Sequence, residues 1–296
     1  MIDDKHITPE FLLRDAEEAV AGFPALLAAA DQLSSTISLG AHGRRRMGSG
    51  DEFWQYRSAT QGDILRDIDW RRSARADTHF VKQMEWQNSQ AVHLWVDRSA
   101  SMQYRYNKNL PLKGVRARIL GLAVAILLAK AGESVGLMEE LQPPKVGRGQ
   151  ITKMAMHLVK FVDEDYGLPP NKEMVSGNRA LLISDFMGDW DCVIDALNCT
   201  ADQRVKGCLV QVLDPTEESF PFDGRTIFES MGGGLSVETR RAKALRDDYL
   251  KRLAERKDQL EALAHRTGWM FLCHHTDQSA QLALIWIYNA ISGLAR

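Results

Sequence analysis

The sequence contains few cysteines and no long apolar run, and each scarcity excludes a class of protein. Four cysteines are spread over 296 residues without a C-x-x-C pair, which predicts reduced side chains in a cytoplasmic protein, not a disulfide framework or a zinc site. The longest apolar stretch covers residues 119–131 and contains Lys130, whereas a membrane-spanning helix needs about 20 apolar residues. The first residues lack a basic region followed by an apolar core. We therefore expect neither a signal peptide nor a transmembrane segment.

A strong net charge is also missing. Lysine and arginine total 37 and the acids 39, so the net charge of −2 gives no reason to expect a nucleic-acid or membrane partner. The chain contains no internal repeat, no Walker motif and no dinucleotide-binding fingerprint. A hydrophobic share of 45% is typical of a globular protein, and the length suits one large domain with an appendage.

Apolar runs and helical patterns alternate from residue 91 onward. Strands are predicted at 91–96, 134–139, 180–184, 207–213 and 268–273. Helices are predicted at 113–131, 150–163, 189–203, 240–266 and 278–294. Alternation of this kind predicts an α/β domain (91–296) with a mostly parallel sheet and helices on both faces. Residues 225–239 predict a hairpin.

The first 90 residues have a different character. A helical pattern covers residues 8–33, and residues 40–90 are dense in arginine, aspartate and tryptophan. We expect this part of the chain (1–90) to form a small N-terminal α+β appendage. Its aromatic side chains, including Trp54 and Trp70, are expected to pack in a satellite core.

The segment AVHLWVDRSASM carries the strongest functional signal. A buried strand runs directly into Asp97, and Ser99 and Ser101 follow at D-x-S-x-S spacing. A second apolar run, ALLIS, ends at Asp185, and the carboxyl ends of parallel strands meet at one ligand-binding edge. Carboxylate and hydroxyl oxygens are ligands that suit Mg²⁺. The alternative is that these residues only form turns and cap helices.

Two motifs resemble known families. The piece DRSASM (97–102) resembles the metal-ion-dependent adhesion site of von Willebrand factor A-type domains. The run GSGDEFWQYRSATQGDILRDIDWRRSAR (48–75) resembles the signature of the DUF58 family, and the resemblance extends over about residues 35–296. We expect the charged side chains of this signature to form an internal ion-pair network, the alternative being a binding surface. The charged residues in question are Asp63, Arg66, Asp69 and Arg75, and Trp70 belongs to the same structural signature.

The resemblance implies a von Willebrand factor A-like fold and an interaction protein rather than an enzyme. In such domains three loops hold a divalent cation, usually Mg²⁺, with Mn²⁺ and Ca²⁺ as alternatives. By this resemblance Asp97, Ser99 and Ser101 match the first loop, and Asp185 matches the third. The Gly-Thr pair of the second loop is missing from this sequence, and Thr152 is the nearest match.

The same resemblance implies two protein partners. One is a MoxR-type AAA+ ATPase, acting with this chain in the maturation or assembly of other proteins. The other is a partner whose acidic side chain completes the coordination of the cation. The basic run Arg44, Arg45 and Arg46 is a candidate contact for an acidic partner, the alternative being a solvated loop. Because the second loop departs from the family pattern, a guanidinium from Arg148 is an alternative occupant of the cation position.

Other functions stay open at this point. A metal-dependent phosphohydrolase would use Asp97 as nucleophile and Asp185 as a Mg²⁺ ligand, but position 99 is serine where such enzymes need a second acid. A metal-free scaffold protein is a further alternative. His274 and His275 end the last predicted strand and are candidate metal ligands, although no motif supports zinc. Interleaved acids in residues 44–82 argue against nucleic-acid binding.

Overall fold

The computed structural model describes residues 7–21, 46–60, 68–74, 79–86, 91–140, 142–229, 236–239 and 242–292. The chain divides into two compact units. The larger unit combines Met1–Ala30 with Gln90–Arg296, and the smaller unit is Asp31–Ser89. The larger unit is therefore assembled from two separate stretches of chain.

The described residues form helices and strands close to those predicted from residue 91 onward. The helices are α1 (Pro9–Ala21), α2 (Trp70–Ser73), α3 (Lys113–Lys130), α4 (Arg148–Leu158), α5 (Trp190–Asp202), α6 (Pro215–Ser219), α7 (Ala242–Thr267) and α8 (Ala280–Ser292). The strands are β1 (Arg46–Ser58), β2 (Phe80–Trp86), β3 (Ala91–Val96), β4 (Ser134–Leu137), β5 (Arg179–Ser184), β6 (Lys206–Leu213), β7 (Thr226–Glu229), β8 (Ser236–Thr239) and β9 (Met270–His275). A short 3₁₀ turn, Ala100–Gln103, follows β3.

Five strands form one parallel sheet in the order β4–β3–β5–β6–β9. From β3 the chain moves outward to β4 and then crosses back over β3 to β5, so the direction of winding reverses between β3 and β5. In open α/β sheets, ligands bind outside the carboxyl ends of the strands at such a reversal. Asp97 and Asp185 directly follow these two strands.

Both faces of the sheet are covered by helices, because its strands are apolar on both sides. Leu181 and Ile183 of β5 face a core that they share with α1, α3, α4 and α8. Ala180 and Leu182 face the opposite core, which α5 and α7 complete. The predicted α/β class, with a mostly parallel sheet and helices on both faces, is confirmed.

Helix α1 belongs to the larger unit. Its Leu12, Ala16 and Val20 lie along one stripe and are buried in the core beside α3. An amphipathic helix needs a partner for such a stripe, and α3 provides it. The predicted appendage (1–90) therefore differs from the structure at its start, because the first helix packs with the α/β unit and the compact smaller unit is residues 31–89.

The smaller unit contains an antiparallel pair, β1 and β2, with register irregularities along β1. Trp70 is the first residue of the one-turn helix α2, and its side chain is 54% exposed. Its indole contacts the ring of His79 edge-on, with the ring centroids 5.4 Å apart. The prediction that Trp70 packs in a satellite core is therefore wrong, since a single helical turn leaves most of the indole uncovered. Asp69 donates its backbone N–H to the carbonyl of Phe80 at 2.8 Å.

Several predicted residues lie outside the described part of the chain. They are Arg44, Arg45, Asp63, Arg66 and Arg75, together with the side chains of Arg46 and Trp54 in β1. The predicted hairpin is present as the antiparallel pair β7–β8, and its tip at residues 230–235 also lies outside the described part. Among the helices that the structure describes, none combines the length and the apolar character needed to cross a bilayer.

Candidate functional site

Asp97 stands at the centre of the carboxyl edge of the sheet. Its carboxylate is buried, with 1% of the residue exposed. Oδ1 accepts a hydrogen bond from the backbone N–H of Ser99 at 2.8 Å, and Oδ2 accepts one from the hydroxyl of Ser184 at 2.6 Å. Burial raises the pKa of Asp97, the charge of Asp185 raises it further, and these hydrogen bonds partly oppose the rise. The last residue of β5 thus holds the acid that follows β3.

The D-x-S-x-S motif forms a loop, residues 97–101, that we call the serine loop. Its two serines lie beside this carboxylate. Ser99 and Ser101 are both buried, and their Oγ atoms are 3.2 Å apart. Two ligand oxygens at adjacent corners of a Mg²⁺ octahedron, each about 2.1 Å from the ion, lie about 3.0 Å apart. The two hydroxyls are hydrogen-bonded to each other, and their spacing also suits two neighbouring ligands of a small cation.

Lys113, the first residue of α3, supplies a positive charge at this edge. Its Nζ donates to Oδ2 of Asp185 at 2.9 Å and to Oε1 of Glu217 at 2.8 Å, and it lies 5.8 Å from the ring centroid of Tyr104. Burial acts to lower the pKa of this lysine, but the two carboxylates outweigh it and raise the pKa of Lys113 overall. The ammonium group therefore stays charged although it is buried.

A connecting segment, Asp163–Leu168, covers the site. The backbone carbonyls of Glu164 and Asp165 accept hydrogen bonds from the N–H groups of Ala100 and Ser101, at 2.8 and 2.9 Å. These bonds hold the segment against the serine loop. The side chains of Asp163, Glu164 and Asp165 are exposed, so three further acids lie at the surface of this segment.

Gly167 is the point of closest approach between this segment and Asp97. A Cβ atom placed on Gly167 would lie 2.1 Å from Oδ1 of Asp97 and 2.3 Å from its Cγ. Real Cβ atoms do not approach so closely, so the contact requires glycine. The buried carboxylate is thus closed on this side by bare backbone.

Arg98 supports the loop from behind, and the charge of a second arginine lies near it. Arg98 donates from Nη1 to the carbonyls of His157 and Lys160, both at 3.2 Å, and from Nη2 to Glu139 at 2.6 Å. Arg118 of α3 is also buried, and its Nε has no hydrogen-bond partner. Burial, and then the charge of Arg98, lower the pKa of Arg118 to about 10. These contacts fix the serine loop to the end of α4.

The turn after Asp185 is backbone-strained. Phe186 adopts a left-handed conformation with φ of 53° and is fully buried, which is rare for a bulky residue. Arg256 of α7 holds the turn, because its Nη1 donates to the carbonyls of Phe186 and Gly188 at 3.0 and 3.2 Å. Strain of this kind is characteristic of functional sites, where the surrounding structure enforces it.

The structure does not bring Thr152 or Arg148 to Asp97. After β4 the chain turns back, and Lys145 pairs antiparallel with Val135. Helix α4 therefore begins at the amino edge of the sheet, and its last turn contacts the side chain of Arg98. The hydroxyl of Thr152 donates to the carbonyl of Arg148 at 3.1 Å, within its own helix. The side chain of Arg148 is exposed and pairs with Glu17 of α1 at 3.4 Å. The cation that the structure places at this edge is Lys113, not Arg148.

An aromatic cavity of about 510 Å³ opens beside Glu217. Tyr104, Phe220, Phe222 and Tyr249 form its walls. The hydroxyl of Tyr104 lies 3.2 Å from that of Thr216. Because Tyr104 comes shortly after the serine loop in the sequence, one wall of the cavity is directly connected to that loop. Its volume lies within the range typical of ligand sites, about 300–1,000 Å³.

Sequence reasoning missed Lys113, Gly167 and Glu217. Glu217 had a signal, because D-P-T-E is a capping-box pattern with proline at the first helical position. In the structure Asp214 caps α6. Glu217 completes the capping box, because its carboxylate accepts a hydrogen bond from the backbone N–H of Asp214 at 2.7 Å. Lys113 and Gly167 had no local signal, since their partners are distant in sequence.

These features coincide with a family match. The family model described as "Protein of unknown function DUF58" matches residues 55–259. The chain belongs to the DUF58 family. The family resemblance inferred from the signature is therefore confirmed, and the match spans the serine loop, Lys113, Asp185 and Glu217.

Relatives of this DUF58 chain have no described activity. Uncharacterized protein Mb1516 of Mycobacterium bovis and uncharacterized protein Rv1480 of Mycobacterium tuberculosis are each 24% identical to it over 248 residues. The aligned region covers 78% of this chain and 76% of each relative. The crystal structure of conserved hypothetical protein BatB from Bacteroides thetaiotaomicron aligns with a TM-score of 0.36 and 14% identity, covering 69% of this chain and 97% of that chain.

Proposed function

We propose that this DUF58 protein is a protein-interaction module that binds its partner at the carboxyl edge of the sheet. In the proposed state a divalent cation, Mg²⁺ in the first instance, is held by the hydroxyls of Ser99 and Ser101. Asp97 and Asp185 contribute through water and hydrogen bonds, as in the A-type domains that the DRSASM motif resembles. The single observation that carries the proposal is the 3.2 Å spacing of the two serine oxygens beside a buried carboxylate.

The donor set fits Mg²⁺ in kind and in charge. Hydroxyl and carboxylate oxygens are the ligands that this ion prefers. Four acids, Asp97, Asp185, Asp214 and Glu217, surround this edge, and three buried cations oppose them, namely Arg98, Lys113 and Arg118. The ion would supply a coordination position for an acidic side chain of the partner. Thr152 lies in α4 and takes no part.

The residues of the chain have separate tasks in this proposal. Ser184 and the backbone of Ser99 orient Asp97, and Lys113 holds Asp185 in place. Residues Asp163–Leu168 cover the serine loop, so a partner must displace this segment to reach it. A partner that binds through an acidic side chain would therefore take the place of the acidic segment 163–168.

The DUF58 resemblance leads us to propose a MoxR-type AAA+ ATPase as one partner, in the maturation or assembly of other proteins. The acidic protein partner would be the client or an assembly component. ATP hydrolysis could add to the binding free energy that a partner uses to displace the covering segment. The basic run Arg44–Arg46 stays a predicted contact for the acidic partner.

The first test is calorimetric titration of Mg²⁺, and separately Mn²⁺, into the chelator-treated protein. We expect saturable binding that Asp97→Ala and Ser101→Ala abolish. Thr152→Ala is the matched control and should bind as the parent does, because its hydroxyl bonds only within α4. Capture of a purified MoxR-type ATPase with and without Mg²⁺ then tests the partner directly.

Two alternatives become outcomes of this test. A specific observation favours the metal-free scaffold, namely that Asp185 and Glu217 already share the ammonium group of Lys113 as their ion-pair partner. Absence of Mg²⁺ and Mn²⁺ binding by the parent would support that function. The phosphohydrolase alternative requires Asp97 to attack a phosphoryl group, yet both of its oxygens are hydrogen-bonded and Gly167 closes one side. Mg²⁺-dependent hydrolysis of a simple phosphate monoester, lost in Asp97→Asn, would establish it nonetheless.

A further inference from the structure

A second group of metal-ligating side chains lies at the edge strand β9, apart from the serine loop. Cys273 and His275 are two residues apart on this strand and therefore project from the same face. Glu218 of α6 completes the group. The thiol sulfur, one ring nitrogen and one carboxylate oxygen all lie within 4.8 Å of one another.

The contact between His275 and Glu218 is closer than this limit and has an unusual geometry. Nε2 of His275 lies 2.9 Å from Oε2 of Glu218, an ion-pair distance, although within the described part of the chain this buried nitrogen makes no well-aligned hydrogen bond. Two ligands of a tetrahedral zinc ion, each about 2.1 Å from the metal, lie about 3.4 Å apart and point at the ion rather than at each other. The two atoms are thus closer than a zinc ligand pair, and they would separate by about 0.5 Å to admit the ion.

Lys257 of α7 takes the position of a cation in this group. Its ammonium donates to Oε1 of Glu218 and forms a hydrogen bond with the thiol of Cys273. The side chain of Lys257 is 31% exposed, and it can turn into the adjoining cavity of about 310 Å³, which it lines with Glu218.

Thiolate, imidazole and carboxylate together match zinc rather than magnesium. Zinc binds cysteine, histidine and acidic side chains in four-coordinate sites, whereas magnesium prefers an octahedron of oxygens. We propose that Glu218, Cys273 and His275 bind one Zn²⁺ ion, with the fourth position facing the cavity beside Lys257. This site stands independently of the proposed function at Asp97. It differs from the sequence expectation that the four cysteines form no zinc site, which rested on the missing C-x-x-C pair and did not consider ligands from a strand and a separate helix.

The test is titration of the purified, chelator-treated full chain with Zn²⁺ against a competing chromophoric chelator, and with Co²⁺ as a spectroscopic substitute. We expect one ion per chain and a thiolate-to-cobalt charge-transfer band. Cys273→Ser should remove the band, and His275→Ala should weaken zinc binding by at least about 100-fold, since changes even outside the ligand shell cost about 10–100-fold. Cys199→Ser is the matched control and should change neither. Asp97→Ala should also retain zinc, which separates this site from the serine loop.

Lys257→Met provides a further test that a purely structural cluster would not pass. Removal of the ammonium takes away a competing positive charge, so this variant should bind Zn²⁺ more tightly than the parent. Circular dichroism of each variant verifies that the fold is retained. A cobalt spectrum without a thiolate band, or zinc affinity unchanged by both Cys273→Ser and His275→Ala, would overturn the proposal. Weaker zinc binding by Lys257→Met would do the same.

Discussion

The ammonium group of Lys113 lies 2.9 Å from Oδ2 of Asp185, and each side chain is only 2% exposed. The same nitrogen reaches Glu217 at 2.8 Å. One side chain at the start of α3 thus ties together the turns that follow β5 and β6. A buried ion pair of this kind need not stabilise more than a well-packed apolar contact, but losing one partner leaves an uncompensated charge.

Lys113→Met tests this arrangement. We expect the free energy of unfolding to fall by about 3–5 kcal/mol, because two buried acids lose their cation. Lys130→Met, at the exposed end of the same helix, is the control and should change stability by about 0.5 kcal/mol or less. Urea denaturation measures both. A loss below about 1 kcal/mol in Lys113→Met would contradict the importance of the pair. If Mg²⁺ binds at this edge, it should stabilise Lys113→Met more than the parent, since the excess negative charge is larger.

Gly167→Ala should disturb the cover over Asp97. The new Cβ would lie 2.1 Å from a carboxylate oxygen, so the segment Asp163–Leu168 must shift. Overpacking of this kind costs about 1–3 kcal/mol. We also expect faster limited proteolysis within the segment. Gly149→Ala is the matched control: its Cβ would meet no described atom within 4 Å, and an alanine in the first turn of α4 should change stability by about 0.5 kcal/mol or less. Equal stability of the two variants would show that the segment does not press on Asp97.

Two buried histidines predict a specific acid sensitivity. The pKa of His93 is lowered to about 4, mainly by burial and secondly by the positive charge of Lys172. The pKa of His274 is also lowered to about 4, mainly by burial and secondly by the positive charge of Arg116. The unfolded chain binds these protons near pH 6.5, so the folded state loses stability as the pH falls from about 6.5 towards 4. The loss is on the order of 3 kcal/mol per histidine.

Denaturation of His93→Gln and His274→Gln over this pH range measures the effect. Each variant should show a shallower decline than the parent on the acid side, because glutamine takes up no proton. Retention of the full parental decline in both variants would mean that other groups cause it.

Trp70→Ala should cost about 1 kcal/mol or less, since the indole is half exposed and its described ring contact is the edge-on contact with His79. Trp269→Ala is the matched comparison. That indole is buried, and its Nε1 donates to the carbonyl of Val205 at 3.1 Å, so its removal should cost about 3–5 kcal/mol. Chemical denaturation of the two variants compares them. Equal losses would show that Trp70 is covered in solution.

The sheet was predictable because its strands are continuous apolar runs. Ala91–Val96 has the predicted bounds, since both ends are marked by a change from apolar to polar residues. Helix α4 was predicted to run to residue 163 but ends at Leu158. The guanidinium of Arg98 binds the carbonyls of His157 and Lys160, and the chain then turns over Asp97. A distant side chain decides this end, so local periodicity could not show it.

The candidate site was predictable only in part. Asp97 and Asp185 follow apolar strands, which is a local signal, and the structure places them at the ends of neighbouring strands. Thr152 and Arg148 were assigned to the edge through the resemblance to A-type domains, but the backward turn at Lys145 directs them to the opposite edge. The burial of Lys113 depends on two acids 72 and 104 residues away. No pattern within a short window carries that information.

The packing of α1 on α3 also has a consequence in time. On the ribosome, α1 emerges about 90 residues before the start of α3, with Leu12, Ala16 and Val20 lacking the partner that later buries them. At about 5–20 residues per second, that interval lasts on the order of 5–20 seconds. During synthesis the first helix is therefore an exposed apolar surface that a chaperone can bind, and it docks only after the intervening residues have been made.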